Sequence, residues 1–201
     1  MGGRAIACIN ARDRNMLGFR RDLLTAAAYG VDEFLFVFGD EPASGARTGQ
    51  LTVRQMVEQL RDFGEEYAPP GDPFRAGVTT RLRHLPEWKR QADFLFVQVA
   101  FDLDELLAWR ESVTFEGSVY AGVMVLPSAP MARKLVATIP EISVPGPWLD
   151  AIERDRTAGV KLACELAEAI RESGVFEGVH LVPGVRYRET AAFLENRPRH
   201  A

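Results

Sequence analysis

This chain has few of the residues that would simplify a functional assignment. It contains 2 cysteines, Cys8 and Cys164, whose separation matches neither a metal-binding spacing nor a disulfide framework. Histidine is scarce, with 3 residues in 201, so a histidine-rich metal cluster is not expected. No excess of positive charge exists: the formal net charge is -4, which leaves no general attraction to nucleic acid or an anionic bilayer. Apolar runs are short, none approaching the ~20 residues that span a membrane. The first residues, Met1-Gly2-Gly3-Arg4, show no signal peptide, and Ile6 spoils a myristoylation match. A cytoplasmic protein with no metal, nucleic-acid or membrane partner is the expectation.

What remains is an ordinary globular composition, 47% hydrophobic and 26% charged, in a length that fits a single domain over residues 1–201. The most informative stretch is Phe34-Leu35-Phe36-Val37-Phe38-Gly39-Asp40. Five consecutive apolar residues suit a strand buried on both faces, as in parallel sheets. Gly39 permits a tight turn, and Pro42 forbids continuation. Asp40 therefore stands where a buried strand surfaces, the edge at which αβ folds bind ligands, although a turn or cap residue is the competing role.

Around this strand the chain alternates. Ala5 to Ile9 reads as a strand, followed by a helix start capped by Asp13 or Asn15. Leu17, Leu23, Leu24 and Ala27 recur at helical spacing, and Gly30 ends that helix. Residues 41–50 read as a loop, and Thr52 caps a helix whose inner face includes Val53, Met56 and Leu60. Residues 76–79 form a weak strand, and Phe94–Phe101 a buried one interrupted by a single polar residue, Gln98. A helix to Ser112, a strand over Val119–Leu126 with Gly122 inside it, and a short helix from Met131 follow. Pro147 suits a first helical turn, and Ala158–Glu172 makes a long helix with Val160, Ala163, Cys164, Ala167 and Ile170 on one face. Val179–Val182 is the last strand and Tyr187–Asn196 the last helix. Six such units predict a parallel sheet with helices outside, either an open sheet or an (αβ)8 barrel short of two strands, since a full barrel needs eight units and about 250 residues.

Five segments occur in the order and spacing of one family. They are Cys8-Ile9-Asn10-Ala11-Arg12-Asp13-Arg14-Asn15, Phe38-Gly39-Asp40-Glu41-Pro42, Val97-Gln98-Val99-Ala100-Phe101-Asp102, Gly122-Val123-Met124 and Gly178-Val179-His180. Together they resemble the methylenetetrahydrofolate reductase family, a flavin-containing (αβ)8 barrel, from its third strand to its eighth. The resemblance implies an incomplete TIM-barrel type fold. It also implies reduction of 5,10-methylenetetrahydrofolate to 5-methyltetrahydrofolate, with NADH or NADPH as donor and FAD as carrier, in one-carbon and methionine metabolism.

Residue by residue, Asp40 matches the family aspartate beside flavin and folate and is the candidate catalytic group, with Gly39 the glycine before it. Phe38 stands where an arginine usually helps hold the flavin. Cys8 replaces a flavin-contacting histidine, with a core thiol as its alternative role. Thr52 lies where the family's loop-to-helix start touches cofactor, with a plain N-cap as the alternative. Lys89 resembles a lysine that meets the flavin phosphates, against the alternative of a solvated surface charge. Gln98 matches a folate-contacting glutamine and is suited to read a pterin edge, against a buried amide satisfied by backbone. Arg186 is placed to meet the substrate's acidic tail, whereas His180 reads as a packed strand residue.

The family's proton-donating glutamate on the first strand and its Thr-x-Gly loop on the second have no counterpart in this sequence. The expectation is an N-terminally truncated piece of a longer protein, over strands supplied by a partner chain or second copy. A non-catalytic pterin- or flavin-binding homologue, or a partner subunit, is the alternative function.

Overall fold

The computed structural model describes residues 5–39, 49 and 51–196. Asp40 and the predicted loop, apart from Gly49, lie outside the described residues. Strands and helices alternate: β1 (Ile6–Asn10), α1 (Met16–Ala28), β2 (Glu33–Val37), α2 (Val53–Tyr67), β3 (Arg75–Thr80), β4 (Phe94–Val99), α3 (Leu103–Ser112), β5 (Ser118–Met124), α4 (Ala129–Thr138), α5 (Gly146–Arg154), α6 (Ala158–Glu172), β6 (Gly178–Val182) and α7 (Tyr187–Glu195). The hydrogen-bonded strand order follows the chain, β1-β2-β3-β4-β5-β6, and the pairings β1–β2, β2–β3 and β5–β6 are parallel. Sequential strands joined by helical crossovers, with only a short 3-10 turn over Glu87–Gln91 between β3 and β4, are the (αβ)8 barrel type, here incomplete with six strands. Among the described residues, no helix is long and apolar enough to cross a membrane.

The chain forms two compact units. The first comprises residues up to Thr80 with Leu85–Leu95 and Phe115–Ser118; the second comprises Arg81–His84, Phe96–Thr114 and the chain from Val119 onward. The first unit is built on phenylalanine. Phe34 and Phe36 of β2 are both fully buried although they are two residues apart and share a face, and Leu35 between them is buried on the other. Phe19 of α1 meets Phe36 edge-on at 5.5 Å, and Phe34 meets Phe74 at 5.9 Å, while Phe63 of α2 stacks on Tyr67 at 4.6 Å. Glu33, buried at the start of β2, receives Arg75 Nη1 at 2.6 Å, which pairs a charge that burial would otherwise penalise.

Helix starts follow the capping residues. Asn15 accepts the Gly18 amide at 2.8 Å and starts α1, so Asn15 is the cap of that helix and Asp13 instead takes a positive φ of 54°. Within α1, Phe19 and Leu23 are buried but Leu17 and Leu24 are exposed, which corrects the face expected from leucine spacing alone. The aromatic ring at position 19 selects the stripe that faces β2. Thr52 and Gln55 form a reciprocal capping box at the head of α2.

The second unit has a cluster of Phe101, Leu126, Ala129, Ala132, Ile142 and Ile152, with Trp148 meeting Phe101 edge-on at 5.2 Å. Val160, Ala163, Cys164, Ala167 and Ile170 of α6 are all buried, on the face that their spacing predicts. His180 of β6 lies 4.9 Å from the Phe96 ring, and burial holds its pKa below the ordinary histidine value. Its side chain is nevertheless exposed, covered on one side by the Phe96 ring, which corrects the reading of a packed strand residue.

Candidate functional site

In the second unit a small concavity, open to solvent, forms where β4 ends. Ligand sites in this fold class occur at that end of the strands, because the connecting loops there are free to vary while the strands hold them in place. Gln98, Val99 and Ala100 supply one wall; Leu82 and Ile142 add apolar surface. Arg81, which follows β3 in the chain, forms an ion pair with Glu141 at the edge of this space. Trp109 Nε1 donates to the Arg83 carbonyl at 2.9 Å and so ties the 81–84 segment to α3.

Gln98 is half-buried, and its side-chain amide has no hydrogen-bond partner among the described residues. No such backbone bond is present among the described residues, and Gln98 is one of the residues that line the concavity. Such a group is costly in a core but useful in a pocket, where a ligand completes it. Its position depends on a neighbouring glycine. A Cβ at Gly122 would fall 2.4 Å from the Val97 carbonyl oxygen and 3.0 Å from the Gln98 carbonyl carbon, so only glycine lets β5 lie this close to the Gln98 peptide. Ala100 donates its amide to the Gly122 carbonyl at 3.0 Å and closes the pairing beyond the glutamine.

Glu105 lines the same concavity from the first turn of α3. Asp102 caps that helix, taking the amides of Asp104 at 2.8 Å and Glu105 at 3.2 Å. The cap leaves the Glu105 carboxyl free of backbone duties. Loss of solvent first, and repulsion from Asp102 second, raise its pKa above the ordinary carboxyl value. Sequence reading passed over Glu105. Its signal was topological: it lies seven residues beyond Gln98 across a tight strand-to-helix turn, so both face the strand end.

The cofactor candidates fall in the first unit. Cys8 on β1 is exposed, which overturns the core-thiol alternative, and partial burial of its sulfur raises the thiol pKa. Phe38, 61% exposed, and Gly39 follow β2; Gly39 has φ of 90°, a conformation that favours glycine, with Asn10 and Arg12 packed against it. The Arg12 guanidinium lies over the Phe38 ring at 5.7 Å, and its two terminal nitrogens are buried with no hydrogen-bond partner among the described residues. An exposed ring beside an unsatisfied guanidinium fits a flat anionic cofactor.

Thr52 and Lys89 fit less well. The Thr52 hydroxyl is used in the capping box, and Lys89 Nζ donates to the Thr79 carbonyl at 2.7 Å while lying 5.6 Å from the Trp88 ring centre. Arg186 is far from open-handed: it pairs with Glu189 at 2.9 Å, and Thr190 bonds its carbonyl. It is not among the residues that line the concavity with Gln98. Asp40, the candidate catalytic residue, lies outside the described residues. Among the described residues, no group of three or more His, Cys, Asp or Glu side chains is arranged to hold a metal.

The family model described as methylenetetrahydrofolate reductase matches residues 4–196. The chain belongs to the methylenetetrahydrofolate reductase family. Among solved structures, it is similar to an uncharacterized protein from Clostridium thermocellum that binds two copies of 5-methyl-5,6,7,8-tetrahydrofolic acid. That similarity has a TM-score of 0.57 and 14% identity, over 94% of this chain and 69% of that one, and shows a shared fold. A tryptophan synthase complex from Pyrococcus furiosus matches at a TM-score of 0.34 and 18% identity, over 77% of this chain and 60% of that one. No curated protein matches the chain. In a member of this family, Gln98 and Gly122 lie in two of the five segments that carried the resemblance, and the structure brings them into contact at one strand end.

Proposed function

We propose that this chain binds a reduced folate at the Gln98 concavity and acts as a methylenetetrahydrofolate reductase-like flavoprotein. The reaction would be reduction of 5,10-methylenetetrahydrofolate to 5-methyltetrahydrofolate with NADH or NADPH as donor. One observation carries the proposal: the uncommitted Gln98 amide lines an open concavity at the end of β4 in a chain of this family. An amide offers both a donor and an acceptor, which suits the mixed edge of a pterin. Folate binding by a protein of the same fold adds support.

FAD, when bound, supplies hydride transfer between nicotinamide and folate. Phe38 and Gly39, with Cys8 on the adjacent strand, are the residues of this chain that would hold it, and Arg12 would meet an anionic part. Asp40 is the residue proposed to act beside the reacting rings. Gln98 would orient the folate and its neighbours Val99 and Ala100 would exclude water from one side of it.

The second reading, a non-catalytic pterin- or flavin-binding homologue or partner subunit, is favoured by the engagement of Thr52 and Lys89 in local structure. Two measurements on the purified chain separate them. Binding of 5-methyltetrahydrofolate by titration calorimetry is expected under the first and under the pterin-binding form of the second. A flavin absorbance band with NAD(P)H-driven reduction of menadione is expected only under the first, and flavin colour without turnover would exclude it.

A further inference from the structure

Three polar side chains that line the Gln98 concavity, the half-buried Gln98 and Glu105 and the exposed Ser143, accept or donate no hydrogen bond among the described residues. The charged residues around them are otherwise placed: Arg81 and Glu141 pair with each other, and Asp102 serves as the cap of α3. Arg83 contributes its backbone carbonyl to Trp109 and leaves its side chain at the exposed edge. The two half-buried groups among them, one amide and one carboxyl, suit a ligand whose edge carries a carbonyl next to N–H donors, with the Ser143 hydroxyl at the exposed edge.

We propose that Glu105 is a ligand-binding residue of this concavity, taking the paired ring N–H and exocyclic amino donors of a 2-amino-4-oxo pteridine while the Gln98 amide donates to the adjoining carbonyl. The proposal rests on the folate reading above and names the residue that recognises the ring. A carboxylate has acceptors only, and its two oxygens match two parallel N–H donors as they match the fork of a guanidinium. The raised pKa is consistent with an uncompensated carboxyl that a donor pair would satisfy. Leu82 and Ile142 give the concavity an apolar wall beside the two polar groups.

The test is calorimetric titration of the 201-residue chain with 5-methyltetrahydrofolate, comparing wild type with Glu105→Gln and Glu105→Asp. Hydrogen bonds to a charged group predict a loss of roughly 10- to 100-fold in affinity for Glu105→Gln, with Glu105→Asp retaining part of it. Lowering the pH protonates Glu105, so wild-type affinity should fall relative to that of Glu105→Gln. The charges facing Glu105, Asp102 on its own helix and Arg81, Arg83 and Glu141 around the concavity, are common to both proteins. Equal affinities for wild type and Glu105→Gln would overturn the proposal and leave the folate reading standing. Absence of binding by wild type would overturn that reading, and the proposal with it. Should Glu105→Gln fail to fold, the 2-desamino analogue against wild type replaces it: a comparable loss supports the donor-pair contact, and unchanged affinity overturns it.

Discussion

Gly122→Ala tests the link between the sheet and the site. The added methyl would sit 2.4 Å from the Val97 carbonyl oxygen and 2.9 Å from the Val99 amide nitrogen, both backbone atoms of the neighbouring strand. No side-chain rotation relieves such a contact, so β4 and β5 must separate by several tenths of an ångström. Overpacking of this kind costs about 1–3 kcal/mol, whereas alanine regains about 0.5–1 kcal/mol by restricting the unfolded chain. The net loss is about 1 kcal/mol, which for a chain of this size lowers Tm by roughly 2–4 °C. Gly146→Ala is the control, because no heavy atom lies within 4 Å of its Cβ position. Thermal unfolding followed by circular dichroism should separate the two variants clearly, with Gly146→Ala, a helical glycine of ordinary φ, melting roughly 1–4 °C above wild type. Since the displaced peptide carries Gln98, the same substitution should weaken 5-methyltetrahydrofolate binding measured at a temperature where the variant remains folded. A Gly122→Ala protein that melts with the control would refute the claim that this close approach positions the site.

Three further outcomes follow from the geometry. Thr52→Ala removes the capping box and should cost about 1 kcal/mol, seen as a Tm drop of roughly 2–4 °C, with flavin content unchanged; loss of flavin without loss of stability would return Thr52 to the cofactor site. Cys8 is exposed and Cys164 buried, so Ellman's reagent should modify one thiol in the native protein and the second only on unfolding. Because the Cys8 pKa is raised, the rate-versus-pH curve should be displaced above that of a free thiol; an unshifted or lower curve would contradict this. His180 has a pKa below 6.5 in the fold, so the unfolded chain binds the extra proton first as pH falls. Its contribution to stability is intact above pH 6.5 and is lost as pH drops from there through the folded value. His180→Asn should flatten that part of a pH–stability curve measured by urea unfolding, and an unchanged curve would count against it.

Much of the architecture was legible because local signals and burial agreed. The residues Phe34–Phe38 predicted a strand buried on both faces, and β2 over Glu33–Val37 is that strand. Helix α6 begins and ends where its periodicity predicts, since all its apolar residues lie on one stripe that a single packed face can cover. In α1 the signal was ambiguous. Leucines lie on more than one face, and the buried stripe was decided by a phenylalanine contact with β2.

The site divides in the same way. Gln98 stood out in sequence as the one polar residue in an apolar run, and the family motifs ranked it as a ligand residue. Thr52 and Lys89 were equally visible, but local partners take their polar groups: a capping glutamine and a carbonyl at the end of β3. Glu105 carried no pattern, because a lone acid on a helix is a common surface residue, and Arg12 lay inside a family segment without a role of its own.

By itself the sequence determined the order of strands and helices, the buried β2 and α6 faces, and the family, since these depend on residue type and spacing along the chain. Tertiary structure decided which polar groups are already satisfied and which remain available. That follows from contacts between residues distant in sequence: Gly122 against the Gln98 peptide, Arg81 against Glu141, and Glu105 in the concavity beside Gln98. A hydrogen-bonding group becomes a recognition element only when the fold buries its surroundings without supplying its partner, and that condition is set in space, not in sequence.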